Sequence, residues 1–217
     1  MVRADRFGLR GRNFYAHDRN PPYWRTIDGA VDELWVRASV GARLQAVDKR
    51  LADAGLRLYL FDAWRPRAVQ TYFHDVWMPQ ELRARNPGMD EDAIRAETGR
   101  YWAAPTVDAN SPAPHSTGGA VDLTVVWEDG EPLHMGGLFD DPTAISHTDR
   151  LERAYDDTGS YSMEEARASR RLIYWVMTEA GFANHPDEWW HYSWGDQMWA
   201  KLTGAPAAHY GPAEPPA

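Results

Sequence analysis

The feature that most constrains the fold lies between residues 114 and 126, where His115 and Asp122 stand seven positions apart with Gly118-Gly119 between them. The segment runs on as Ala120-Val121-Asp122-Leu123-Thr124-Val125-Val126-Trp127, and its β-branched content reads as a strand over residues 120–127. A histidine and an aspartate at that spacing cannot meet across one helical turn. A loop followed by a strand can bring them together, because glycine permits a sharp turn and Asp122 then projects from the strand. Far downstream, Asp187-Glu188-Trp189-Trp190-His191 supplies a second histidine with a carboxylate three residues before it. Two imidazoles and one carboxylate suffice to hold a catalytic metal, and a further glutamate can take a proton from an attacking water. The two stretches share one centre only if the fold sets them side by side.

Residues 1–38 read as loop-rich, with turn signals at Asn20-Pro21-Pro22 and Asp28-Gly29. Ser39 is placed to N-cap a helix that carries Val40, Leu44, Val47 and Leu51 on one stripe and stops at Gly55. Leu56-Arg57-Leu58-Tyr59-Leu60-Phe61 alternates as a half-buried strand does. After Asp62-Ala63-Trp64-Arg65, Pro66 can open a helix that runs through Met78. Residues 79–105 are charged and mostly helical, with a break at Asn86-Pro87-Gly88. They carry too few apolar residues for a core of their own and are expected to form an insertion or lid. A proline-rich loop over residues 106–114 leads into the strand, and Glu128-Asp129-Gly130 reads as a hairpin-type turn after it. Ser162 and Glu165 form a capping box for a long helix that turns Leu172, Ile173, Val176 and Met177 inward and ends at Gly181. Residues 188–194 read as a last, aromatic strand, with Glu188 in the turn that enters it. The tail from Gly204, rich in Pro and Ala, is expected to be frayed or disordered, which leaves one domain over residues 1–203. Helices ahead of a group of strands, without regular βαβ alternation, predict an α+β fold.

Composition narrows the function. The chain has 217 residues, enough for one substantial core. A formal charge of −9 argues against nucleic acid, whose phosphates need a basic face. No apolar run is long enough to cross a bilayer, so no membrane partner is expected. The start, Met1-Val2-Arg3-Ala4-Asp5-Arg6-Phe7, lacks the apolar core of a signal peptide, which makes the cytoplasm the expected compartment. With no cysteine, a metal must be held by His, Asp or Glu. Eleven tryptophans predict a stiff, aromatic-walled interior.

His115-x-x-Gly118-x-Ala120-x-Asp122 followed by Glu188-Trp189-Trp190-His191, with Trp64-Arg65-Pro66 upstream, resembles the D-alanyl-D-alanine dipeptidases of the VanX type. These are zinc peptidases related to D,D-carboxypeptidases and to the hedgehog signalling domain. The similarity runs in unbroken order from Asn13-Phe14 to Trp194 and includes Met135-Gly136-Gly137, Phe139-Asp140 and Ser146-His147. It implies a small, mostly antiparallel sheet flanked by helices. It also implies a Zn²⁺ site of His115, Asp122 and His191, with Glu188 as catalytic base, Arg65 stabilising the transition state and Asp140 receiving the substrate amine. Arg65 can in addition pair with Asp62 at the strand end. The substrate implied is a short dipeptide of D-amino acids, with D-Ala-D-Ala the first candidate.

Two positions depart from the family at the end that holds the substrate carboxylate. Ala113 stands where a serine is common, two residues before the first histidine, and the place of an N-terminal tyrosine falls on Gly8. Ser116, Ser111 and Arg67 are the candidate donors left at that end. Of the remaining histidines, His147 is a candidate pocket residue, while His17, His74, His134, His185 and His209 are read as non-ligands. A D,D-carboxypeptidase acting on longer peptidoglycan peptides is one alternative, and a non-catalytic zinc-binding module is another. Retention of both Glu188 and Arg65 favours an enzyme.

Overall fold

The computed structural model describes residues 1–106, 108–153 and 160–216. Of the expected loop over residues 106–114, Val107 lies outside these, as does Ala217 of the tail. In chain order the strands are β1 (Val2–Arg3), β2 (Arg10–Gly11), β3 (Trp35–Val36), β4 (Leu56–Asp62), β5 (Ala120–Trp127), β6 (Ala183–Asn184) and β7 (His191–Ser193). The helices are α1 (Ala38–Ala52), α2 (Arg67–Thr71), α3 (Met78–Arg85), α4 (Glu91–Tyr101), α5 (Arg150–Arg153), α6 (Tyr161–Glu179) and α7 (Gln197–Thr203).

One five-stranded sheet in the order β2-β4-β5-β7-β6 organises the α+β domain, and β1 with β3 forms a small second sheet. Only the β2–β4 pairing is parallel; the others in the main sheet are antiparallel. Strand β5 lies at its centre and is buried from Ala120 through Val126. Cover on both faces buries the apolar Val121, Leu123 and Val125 and, on the opposite face, the polar Asp122 and Thr124 alike. Its neighbour β4 does alternate: Leu56, Leu58 and Leu60 are buried, while Arg57, Tyr59 and Phe61 are half-buried. The expected strand extends by one residue to Asp62, and a register shift between Leu60 and Asp62 sets Asp62 opposite Asp122. Such an irregularity re-aims side chains at the end of a strand.

Helix α1 buries Val40, Leu44, Val47 and Leu51 as its periodicity predicts. Its cap differs from expectation. Arg37 occupies the N-cap position without a side-chain bond and Ser39 lies inside the first turn, so no serine cap forms. The helix stops at Ala52, and Gly55 at φ 72° turns the chain into β4. The helix opened by Pro66 is interrupted: α2 gives way to a wider, π-type turn over Tyr72–Trp77 before α3 continues to Arg85. Asp90 caps α4 by accepting from the Ala93 N–H at 2.8 Å. Met78, Leu82, Ile94 and Trp102 from this segment join the same buried cluster as Leu58, Leu123 and Ile173.

In α6 the N-cap is Ser160, not Ser162. Ser162 instead sits in the helix with its hydroxyl 3.0 Å from His134 Nε2. Ile173, Val176 and Met177 face inward as expected, whereas Leu172 is only partly buried against the core. The expected last strand shrinks to β7, because the Glu188 N–H bonds to the His185 carbonyl and the His191 N–H to the Glu188 carbonyl, which makes residues 185–191 a turn. β6 and α7 were not legible beforehand; Asp196 caps α7 through the Trp199 N–H at 2.8 Å. The tail from Gly204 carries no helix or strand, yet it does not hang free. His209 and Tyr210 donate N–H groups to the Gly195 carbonyl, Ala213 donates to the Ser116 carbonyl, and Arg37 reaches the Gly211 carbonyl at 2.8 Å. Among the described residues no helix is long and apolar enough to cross a membrane.

Leu123 is fully buried at the middle of β5. Leu123→Ala is expected to lower the unfolding free energy by about 2–5 kcal/mol, measured by urea denaturation.

Candidate metal centre and active site

The register of two strands builds the centre. β5 pairs with β7 so that Asp122 lies directly opposite His191. Facing residues of an antiparallel pair bring their Cβ atoms to about 4.5–5.5 Å, close enough for both side chains to reach one ion. His115 arrives from a 3₁₀ turn, Pro114–Thr117, that ends at Gly118 with φ 69°. That left-handed angle is where glycine is favoured. Gly119 is needed for space: a Cβ there would lie 2.9 Å from the Trp194 carbonyl oxygen. One ligand atom from each of His115, Asp122 and His191 lies within 4.8 Å of the others, and all three residues are buried.

The atoms around these side chains fix which nitrogens face inward. His115 Nδ1 is 2.7 Å from the Ala63 carbonyl oxygen. A carbonyl can only accept, so Nδ1 carries the proton and Nε2 keeps its lone pair. Across from it, His191 Nδ1 is 3.1 Å away, and His191 Nε2 lies 3.2 Å from Ser193 Oγ, which can accept a hydrogen bond from that nitrogen's N–H. Asp122 Oδ1 is 3.0 Å from His191 Nδ1 but accepts no well-aligned hydrogen bond, and it is buried. Burial opposes the charge on Asp122, yet His115 and His191 outweigh it and hold the carboxyl below the usual range. Lone pairs and a carboxylate thus converge on one point, a donor set suited to a divalent cation.

Arg65 braces the centre from the β4 side. Its Nε donates to Asp62 Oδ2 at 2.7 Å, Nη1 to Gln70 Oε1 at 2.9 Å, and Nη2 to Asp122 Oδ2 at 3.1 Å and Tyr15 Oη at 3.3 Å. The guanidinium also lies 4.8 Å from the Trp102 ring centroid and 5.1 Å from that of Tyr15. The pairing with Asp62 and a place beside the metal ligands therefore coexist. Glu188 projects from the turn before β7, with Oε2 3.6 Å from His191 Nδ1. It is 8% exposed. Burial raises its carboxyl well above the ordinary value, and the charges of Asp122 and Asp140 raise it further. Asp140 sits at φ 58° and accepts hydroxyl hydrogen bonds from Tyr15 at 2.8 Å and Tyr23 at 2.9 Å. Burial, then Asp122, pushes it up to about 7.

A pocket of about 190 Å³ opens on this group and is lined by Arg65, His115, Asp122, Asp140, Glu188 and His191 among others. Ser116 is not brought to it. Its hydroxyl donates to the Ala113 carbonyl at 2.7 Å, and Arg67 Nε is turned to the Pro105 carbonyl at 3.0 Å. His147 borders a neighbouring cavity, with Nε2 3.7 Å from Asp187 Oδ1. Sequence reasoning passed over Tyr15, Tyr23, Gln70 and Trp102, which reach the site through tertiary contacts that no local pattern announces. His185 does line the pocket, and burial, then His191, pushes its imidazole down to about 4.

Fold and buried donor set define a metallopeptidase. A family described as D-ala-D-ala dipeptidase, within peptidase M15, matches residues 28–206, and the chain belongs to that family. A protein of Synechocystis sp. named D-alanyl-D-alanine dipeptidase is 35% identical over 177 residues, covering 76% of this chain and 71% of that one. Proteins of the same name from Streptomyces coelicolor, 33% identical over 70% of this chain and 69% of theirs, and from Enterococcus faecium, 31% identical over 80% of each, match as well.

Binding of a divalent cation at this group is expected to raise the melting temperature by roughly 5–10 °C at a hundredfold excess over the dissociation constant. Thermal denaturation of chelator-treated protein with and without added ion measures it, and Asp122→Ala should abolish the shift.

Proposed function

We propose that this protein is a zinc-dependent dipeptidase that cleaves a short dipeptide of D-amino acids, D-Ala-D-Ala first among them. The observation that carries the proposal is the buried His115-Asp122-His191 group opening on a small pocket beside Glu188 and Arg65. His115 Nε2, His191 Nδ1 and the Asp122 carboxylate would hold the ion, and zinc bound there would acidify water toward neutrality and polarise a carbonyl. Glu188 takes the proton of the attacking water and passes it to the leaving amine. Burial that raises its proton affinity suits a group that must accept a proton and then return it. Arg65 faces the oxygen on which negative charge develops, and its fixed hydrogen bonds keep it from reorganising as the charge grows. Asp140, held by the hydroxyls of Tyr15 and Tyr23, receives the substrate ammonium. The D-alanine preference is supported by the names of the relatives.

The size of the pocket favours the dipeptide over longer peptides. At about 190 Å³ it is smaller than the roughly 300–1,000 Å³ usual for drug-sized ligands. A non-catalytic zinc module would have no use for a Glu188 buried beside the ligands.

Hydrolysis assays with zinc-loaded protein test the proposal. Glu188→Gln is expected to lower kcat by about 10²–10⁴-fold while zinc content, measured by atomic absorption, stays unchanged. Full activity in that variant removes Glu188 from the mechanism.

A further inference from the structure

A dipeptide is a zwitterion, so a pocket that accepts it needs an anion at one end and donors at the other. The anionic end is occupied by Asp140 with Tyr15 and Tyr23. Arg65 does not supply the opposite end: Asp62, Gln70, Tyr15 and Asp122 take four of its five N–H donors, and the proposed mechanism uses the remaining one at the reacting carbonyl. The pocket lining holds one further arginine, Arg100, in the last turn of α4. Its side chain is 45% exposed; Nη1 donates to Glu97 Oε2 at 3.1 Å and Nη2 lies 3.3 Å from Asp187 Oδ2. A guanidinium has five N–H groups, and these two partners leave others for a ligand. Beside it is His185, whose Nδ1 accepts the Asp187 N–H at 3.1 Å. An accepting Nδ1 bears no proton, so the neutral ring carries it on Nε2. That N–H pairs with no described residue, and the ring lines the pocket 5.8 Å from the His191 ring. No hydrogen bond or ion pair among the described residues links this set to Asp140. Asp140, Glu188, His185 and Arg100 all line the one pocket.

We propose that Arg100 and His185 form the carboxylate end of the pocket, Arg100 as the cation and His185 as a neutral hydrogen-bond donor. The assignment rests on the dipeptidase reading and names the group that sets its requirement for a free C-terminus. It gives the site the two-ended charge pattern that matches a dipeptide: acid against ammonium, guanidinium against carboxylate. Pairing of Arg100 with Asp187 pre-positions the guanidinium in the ligand-free protein, and the exposed side chain can turn to substrate without breaking a core contact.

Kinetics on zinc-loaded protein decide it: the KM for D-Ala-D-Ala is compared with the Ki of its C-terminal carboxamide, added as a competitor. Arg100→Gln is expected to raise the KM by roughly 10–100-fold, the worth of a hydrogen bond to a charged group, with kcat little changed and the carboxamide Ki within about twofold of wild type. Arg100→Lys should recover part of the loss, and His185→Gln should move the KM in the same direction by a smaller factor. An Arg100→Gln effect that is equal on the dipeptide and the carboxamide, or absent from both, overturns the assignment and leaves the dipeptidase reading standing. Wild-type protein that cleaves no dipeptide overturns both.

Discussion

The pairing of Asp122 with His191 across β5 and β7 is the constraint on which the rest depends. It converts a separation of 69 residues in sequence into a cross-strand contact at the centre of the sheet. A slip of one residue in that register would turn Asp122 to the opposite face and dismantle the donor set at once. Asp122 and Thr124 share one face and Val121, Leu123 and Val125 the other, so a slip would drive buried polar side chains into the apolar side of the core. Metal chemistry and core packing therefore specify the same alignment.

The site gathers more negative charge than the protein neutralises by itself. Asp62, Asp122, Asp140 and Glu188 are all buried, and Arg65 is the buried arginine set among them. Isolated buried carboxylates are costly, and they either bind protons or acquire cations. Asp62 and Asp122 share Arg65, Asp140 rests on two tyrosine hydroxyls, and burial, then the charges of Asp122 and Asp140, raises the proton affinity of Glu188. A divalent ion at His115, Asp122 and His191 would relieve this surplus and would link the stability of the site to its occupancy. The same surplus explains why Arg65 is so heavily bonded. It is a buried counter-ion to Asp62 and Asp122 and it lines the pocket.

How much of this could be read from the chain depends on how local each signal is. β5 was legible to the residue because its β-branched Val121, Thr124, Val125 and Val126 are bounded by Gly118-Gly119 and the Glu128-Asp129-Gly130 turn. The metal group was legible because its glycines lie beside its histidine and its strand follows directly. Ser160 and Ser162 carry the same capping chemistry, and only the contact of Ser162 with His134 separates them. β6 and β7, two and three residues long, are too short to show a period. Tyr15, Tyr23 and Gln70 act through partners between 5 and 125 residues away, where spacing holds no information about contact. The composition of the tail, rich in Pro and Ala, carries no signal for its contacts: Tyr210 lies against the Arg37 guanidinium, 4.8 Å from its ring, and the Trp194 ring at 5.8 Å.

The most direct measurement is an anomalous-scattering crystal structure of zinc-loaded protein, collected above and below the zinc absorption edge. The account predicts one strong peak bonded to His115 Nε2, His191 Nδ1 and the Asp122 carboxylate at about 2.0–2.2 Å, with Glu188 outside the coordination shell. A peak at other residues, or one that takes Glu188 as a protein ligand in place of Asp122, would contradict it.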